Sequence, residues 1–450
     1  MEMDSSNTRE TSNGGTLLIM TCRWVMSLPY KAWDKAIDVA KEAKKIGKED
    51  PRRIIHSVKL GLALTLVSVF YYFNPLYEGF EVNAIWAVLT VVVVFEFSVG
   101  ATLGKGLNRM VATLVAGTLA IGTHRIATHS GHTGEPILVA IFVFIVAATV
   151  TFTRFFPALK ARYDYGLTIF ILTFSLVSVS GYRDSQVLKM AHMRVTTIII
   201  GSCTSIIVSI LICPVWIGED LHKLVLGNIE KLGDFLEGFG SEYFEVSEDE
   251  PSNNDKSFLQ NYKSVLTSKS KEETMINLAK WEPSHGGFRF CHPWKQYLKI
   301  GSLTRECAYK IEALNNSLHS KIQTSTGIQK KFAESCIKLS VESGKALKEL
   351  SSATKKMKRS NSVAHHLSNS KAAAETVKLL LRNNSWEVAH LIDVVSVGAV
   401  ALLLLEVLES IEKLVEAIDE LASMAHFKTI DPNVSPEQPH LLHRGTVQPM

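Results

Sequence analysis

WAVLTVVVVFEFSVGATLGKGLNR, residues 86–109, is the stretch on which the fold turns. An apolar run enters it, one carboxylate (Glu96) stands between Phe95 and Phe97, and two cations, Lys105 and Arg109, follow at i and i+4. About 20 mostly apolar residues cross roughly 30 Å of hydrocarbon. Asn83–Val99 therefore reads as one membrane span and Leu107–Gly122 as the next, with Lys105 and Arg109 marking the loop between them. Gly100-Ala-Thr-Leu-Gly104-Lys105-Gly106 mimics a phosphate loop. It has one residue too few between its glycines and no hydroxyl after the lysine, so a nucleotide site is excluded.

Working outward, the same reading marks Ile54–Phe73, Pro136–Phe152, Gly166–Ser180 and Val195–Trp216 as further spans, making six. Lys and Arg crowd the chain before the first span (Lys41, Lys44, Lys45, Lys48, Arg52, Arg53) and the second and fourth loops, and are sparse in the others. That alternation predicts both termini in the cytoplasm. Val394–Leu405 is a seventh apolar run, but it is short and bracketed by Asp393, Glu406 and Glu409, and its apolar residues continue at helical spacing. It reads as a core-facing helix of a soluble domain. Ala112, Ala116 and Ala120 recur at i, i+4, i+8, a small-residue stripe suited to close helix packing in lipid.

Beyond residue 217 the period is helical and the composition charged. Leu221, Leu224, Val225, Ile229, Leu232, Phe235, Leu236 and Phe239 form one apolar stripe. The expected fold is all-α. Residues 1–53 form a cytosolic extension with a basic amphipathic helix, 54–216 a six-helix transmembrane domain, 217–428 a cytosolic helical domain and 429–450 a disordered tail. Lys355–Ser370, rich in Ser, Lys and His, reads as a mobile loop in which Ser360 and Ser362 follow a basic run. Sequons at Asn315, Asn383 and Asn433 would face the cytosol and stay unmodified.

The six cysteines have no CxxC spacing, and Cys203 and Cys213 read as small hydrophobes inside an apolar helix. A formal net charge of +4 gives no ground for nucleic acid as a partner. HExxH and GxSxG are both absent, so no enzyme is expected. His124, His129 and His132 gather with Glu135 in the third loop, where a polar turn accounts for them; neither a metal nor a cofactor is expected.

Positive charge at membrane depth is the more telling signal. Lys59 lies inside the first span, Lys105 and Arg109 open the third, Arg154 closes the fourth and Arg194 opens the sixth. Ionisable groups at such depth face a bundle interior or a water-filled path, and a path lined by cations selects anions. Glu96 is the one acid inside a span, placed to pair with a cation or to titrate in a gate.

These residues resemble a known family. Trp86–Arg109, Thr153-Arg-Phe-Phe-Pro157, Tyr163-Asp-Tyr-Gly166, Ser180-Gly-Tyr-Arg-Asp184, Trp281-Glu-Pro283 with His285-Gly286, and Pro293-Trp294 are similar to the motifs of the plant aluminium-activated malate transporters, over roughly residues 45–310. The resemblance implies an anion channel of six-helix subunits in the lipid bilayer, a homodimer, passing malate and other small anions passively. It also makes Trp281, Glu282 and Pro283 structural or gating elements of the cytosolic domain, and favours the plasma membrane over the vacuolar membrane. Aluminium activation belongs to some members only, and the outer loops here hold few acids for a trivalent cation: Glu78, Glu81 and Asp184. Two other classes compete. A proton-coupled organic or aromatic acid exporter would use Glu96 as its coupling group, and a membrane-anchored scaffold would leave the buried cations unexplained.

Overall fold

The computed structural model describes residues 35, 37–72, 85–180, 187–244, 259–289, 292–319, 326–382 and 391–429. Glu78, Glu81, Asp184, Cys22, Cys291, the sequons at Asn383 and Asn433, the acidic stretch 245–256 and nearly all of the tail lie outside the described residues. Among the described residues the chain is all-α apart from one two-residue strand pair. It divides into two compact units, Met1–Val215 and Trp216–Met450.

The first unit contains α1 (Pro51–Tyr72), α2 (Ile85–Val94), α3 (Val99–Thr128), α4 (Gly131–Thr153), α5 (Pro157–Ser180) and α6 (Val187–Leu211). Among the described residues three helices are long and apolar enough to cross a membrane: Val99–Thr128, Gly134–Thr153 and His192–Leu211. The other expected spans are less uniform. Arg52, Arg53 and Lys59 sit in the first half of α1; Lys160, Arg162 and Asp164 sit in the first turns of α5. Helix α2 is apolar but ten residues long.

Its shortness corrects the expected second span. The helix stops at Val94, residues 95–98 are irregular, and α3 starts at Val99, so the expected loop around Lys105 is helix. Side chains satisfy the exposed backbone at this break, as a dry environment requires. The Ser98 hydroxyl accepts the Ala101 N–H at 3.3 Å, and Thr102 Oγ1 accepts the Glu96 N–H at 3.0 Å. The Val99 N–H donates to the Val215 carbonyl at 3.1 Å. The glycines of 100–106 serve packing instead of turning. A methyl at Gly106 would lie 3.2 Å from Ile206 and 3.4 Å from Val94. At Gly201 on α6 it would meet the Ala87 carbonyl at 2.7 Å. The stripe Ala112, Ala116, Ala120 is buried. Cys213 falls outside α6, in a left-handed turn with φ 38°.

The second unit contains α7 (Ile217–Phe244), α8 (Lys263–Leu266), α9 (Lys269–Ala279), α10 (Trp294–His319), α11 (Thr326–Lys355), β1 (Lys358–Arg359), α12 (Asn361–Arg382), α13 (Leu391–Met424) and β2 (Lys428–Thr429). The predicted stripe of α7 enters one large core, with Leu224 only partly buried. Helix α11 crosses α7 at a glycine pair. A methyl at Gly344 would come within 2.7 Å of the Gly233 carbonyl, and one at Gly233 within 2.9 Å of the Gly344 carbonyl. Val397, Val400, Ala401 and Leu404 of the rejected seventh span are buried in this core. Asn315 is buried as well, so its sequon is closed to a glycan.

Lys355–Ser370 is ordered into the end of α11, β1 and the start of α12, which corrects the expected loop. Its polar residues find partners on α11. His366 Nδ1 lies 2.9 Å and Asn369 Nδ2 3.2 Å from Glu342 Oε2, and the Ser360 hydroxyl donates to Glu349 at 2.8 Å. At Glu342 burial raises the pKa, but the hydrogen bonds from His366, Lys345 and Asn369 together outweigh it and bring it down to about 2; the Ser360 and Ser362 hydroxyls hold Glu349 below the usual carboxylate range. A phosphate on Ser360 would face the Glu349 carboxylate, so its first effect would be repulsion.

Candidate functional site

Five cations were singled out from sequence, and the first unit treats them in two ways. Lys105 forms an ion pair with Glu96 across the helix break, and Arg154 grips Asp164 through two hydrogen bonds of 2.8 and 3.2 Å. Both pairs are about a third exposed. Lys59, Arg109 and Arg194 are buried, at 3%, 5% and 8% exposure, and none has a carboxylate within ion-pair distance among the described residues.

Each of the three rests on weaker support. Lys59 Nζ points to the Ser209 carbonyl at 3.5 Å. Arg109 Nη1 donates to the Tyr165 hydroxyl at 3.0 Å while its buried Nε has no partner among the described residues. The Arg194 guanidinium sits 4.1 Å from the centre of the Trp86 ring, a cation–π contact that leaves its donors free to face elsewhere. Arg109 and Arg194 are close enough to repel one another. Burying charge without a partner costs several kcal/mol per ion. The first unit keeps three such groups, two of them mutually repulsive.

Other polar groups share this interior and were not found from sequence. The buried atoms His56 Nδ1, Thr113 Oγ1, Ser178 Oγ and Ser202 Oγ lack hydrogen-bond partners among the described residues. His56 lies 5.6 Å from the rings of both Phe95 and Phe97, beside Glu96. Tyr165 accepts from Arg109 and has Lys105 5.6 Å from its ring centre. It was visible only as part of the Tyr163–Gly166 motif. In the third loop, His124 is in helix α3 and lies 3.5 Å from Glu135. Among the described residues no group of three His, Cys, Asp or Glu is arranged to hold a metal ion.

Glu282 works in the second unit, on its own scale. Its carboxylate accepts the Ile217 N–H at 2.6 Å and the Gly218 N–H at 3.0 Å, capping the start of α7 from 65 residues away. A negative charge there also meets the positive end of the helix dipole. The Pro283 carbonyl accepts the His285 Nδ1 hydrogen at 2.8 Å, and the His285 ring stacks on Trp216 with centroids 3.9 Å apart. A methyl at Gly218 would fall 2.4 Å from Trp294, so only glycine fits under that ring. Glu282, Pro283, His285, Gly218 and Trp294, scattered in sequence, thus form one clasp on the head of α7.

The profile described as "Aluminium activated malate transporter" matches residues 44–391. Aluminum-activated malate transporter 2 of Arabidopsis thaliana is 52% identical over 398 residues, covering 88% of this chain and 79% of that protein. Aluminum-activated malate transporter 7 of the same plant is 50% identical over 424 residues, covering 88% and 84%. Aluminum-activated malate transporter 1 of Triticum aestivum is 42% identical over 438 residues, covering 95% and 94%. Similarity at this level and coverage, together with apolar helices holding buried cations, makes the chain a member of the aluminium-activated malate transporter family, a transporter family and not an enzyme family.

Proposed function

We propose that the chain is one subunit of a homodimeric, gated anion channel that passes malate, and smaller inorganic anions, passively across a plant plasma membrane. The observation that carries this is the trio Lys59, Arg109 and Arg194, buried without carboxylates among the described residues. In a low-dielectric interior such cations lower the barrier for a divalent carboxylate by several kcal/mol. The Lys105–Glu96 pair, at the break between α2 and α3, is the natural gate, because opening it exchanges one neutral pair for two charges. We place six spans within 54–216, both termini on the cytosolic side, 1–53 as a basic extension, 217–428 as a cytosolic regulatory domain and 429–450 as its tail. The charge asymmetry of the loops supports that orientation.

The test is a voltage clamp on oocytes expressing the chain and loaded with malate. An inward current whose reversal potential follows the malate gradient is expected, and adding aluminium to the bath reads out the regulator. Absence of current with the protein labelled at the cell surface would overturn the channel. A flux that follows the proton gradient would favour the coupled exporter with Glu96 as its titrating group.

A further inference from the structure

The second unit holds a cavity of about 780 Å³ between the head of α7, the 285–289 turn and the ends of α11 and α13. That volume lies within the roughly 300–1,000 Å³ typical of small-molecule sites. Six basic side chains line it, Lys223, Arg289, Lys355, Lys356, Lys358 and Lys428, against one carboxylate, Glu219. Lys223 is paired with Glu219, and Lys355 with Glu230. Among the described residues the other four have no carboxylate within ion-pair distance. His222 adds no charge. Burial pushes its pKa down to about 4, and its ring bridges the Tyr297 hydroxyl and the Thr354 carbonyl.

How the lysines are held separates this cavity from an ordinary solvated basic face. Strands β1 and β2 pair in parallel with Lys358 directly opposite Lys428, so both side chains leave the ribbon on the same side, and both line the cavity. Like charges directly opposite one another destabilise a strand pair. The chain reaches this arrangement through two left-handed residues, Met357 (φ 52°) and His426 (φ 56°), conformations unfavourable to any residue but glycine. The Lys428 N–H closes it by donating to the Met357 carbonyl at 3.2 Å. Phe288 and Phe427, both buried, and Trp216 supply an apolar wall, which strengthens the field of the cations at the rim.

We propose that this cavity binds a multivalent, phosphate-bearing anion. A dicarboxylate would neutralise two of the four unpaired cations; a polyphosphate or a multiply phosphorylated headgroup matches all four. The site stands whether or not the first unit conducts malate.

Titration calorimetry on the full-length protein in phosphatidylcholine nanodiscs, with tripolyphosphate as probe, tests it. One saturable site per chain is expected, weakened about 100-fold in Lys358→Gln/Lys428→Gln and kept in Lys358→Arg/Lys428→Arg. Malate at the same concentration should give at most weak heat. Helical content and melting temperature of the glutamine variant, measured alongside, should not fall, since both lysines are exposed and repel each other. Repeating the titration in discs containing phosphatidylinositol bisphosphate assigns the source. Loss of the tripolyphosphate signal there supports a lipid headgroup as occupant, and an unchanged signal supports a soluble phosphate ester. No binding by the unmodified protein, equal binding by the glutamine variant, or tighter binding of malate than of tripolyphosphate would each overturn the proposal.

Discussion

Two arginines largely withdrawn from solvent, one in each unit, meet opposite treatment. Arg305 of the second unit keeps Nη1 2.5 Å from Glu272, and Glu272 also accepts the Ser268 hydroxyl at 2.7 Å. Its exposure is 11% and that of its partner 2%. Arg194 of the first unit, 8% exposed, meets the face of Trp86 and has no carboxylate within ion-pair distance among the described residues. A charge held for structure is neutralised where it stands, because an uncompensated ion weakens the fold. A charge left unneutralised carries a cost in stability that a permeant anion, in the function proposed above, would offset. Both are largely withdrawn from solvent; the difference lies in whether a carboxylate among the described residues reaches them.

The contrast can be broken most sharply at Glu272. Glu272→Ala strands Arg305 in the core and should destabilise the second unit by about 3–5 kcal/mol, read as loss of the folded protein or a large drop in its melting temperature. A melt within a degree or two of the unmodified protein would mean that Arg305 finds solvent and that the two units do not differ.

Acid is the next largest perturbation. His222 and His292 of the second unit have pKa values pushed down to about 4, chiefly by burial. Unfolded histidine titrates near 6.5, so between pH 6.5 and 4 the unfolded chain binds more protons than the folded one. Stability should therefore be full above pH 6.5 and fall as pH drops through that window, by on the order of 3 kcal/mol for His222 alone. Melting curves from pH 7 to 4.5 check this, and His222→Gln should flatten the slope whatever it does to the plateau.

Arg109→Gln/Arg194→Gln tests the other side of the comparison. A unit charge about 6 Å from a permeant anion at an effective dielectric of about 20 is worth roughly 3 kcal/mol. Malate current should fall by roughly 100-fold, while the melting temperature stays level or rises. A loss of stability with current retained would make these arginines structural, like Arg305. The smallest effect concerns the clasp on α7. Glu282→Gln keeps the shape but weakens two charge-assisted caps, and should cost about 2 kcal/mol. If amide exchange at Ile217 and Gly218 is no faster in this variant, the cap does not hold the helix head.

Much of this was legible in sequence for physical reasons that differ by region. The stripe from Leu221 to Phe239 announces a buried face because burial follows the 3.6-residue period. The depth of Lys59, Arg109 and Arg194 was visible because charge inside an apolar run is rare. Nothing local marked which cations would be paired. Asp164 is ten residues from Arg154, and only the fold decides that it reaches back while no acid among the described residues reaches Arg194. The break at residues 95–98 was missed because Phe95 and Phe97 continue the apolar run, and the glycines beyond it look like a turn until the close approach of Ile206 is known. The cap by Glu282 spans 65 residues, beyond any pattern reading, although its motif was conspicuous. The Ser- and His-rich segment after Lys355 looked solvated because its partners, Glu342 and Glu349, lie on a different helix turn of α11.

The two-residue ribbon of β1 and β2 also sets an order of events. Lys358 cannot meet Lys428 until 70 further residues have left the ribosome, and closing so long a loop is a late step in any folding route. Helix α7 and its partner α11 need nothing from that segment and can pack first. The cationic cavity is then the last part of the second unit to be completed, a record that synthesis has passed residue 428. A nascent chain stopped at Met424 would carry every described helix of the unit and lack this one feature, and pulse-labelled exchange should find the Lys428 amide among the last to be protected.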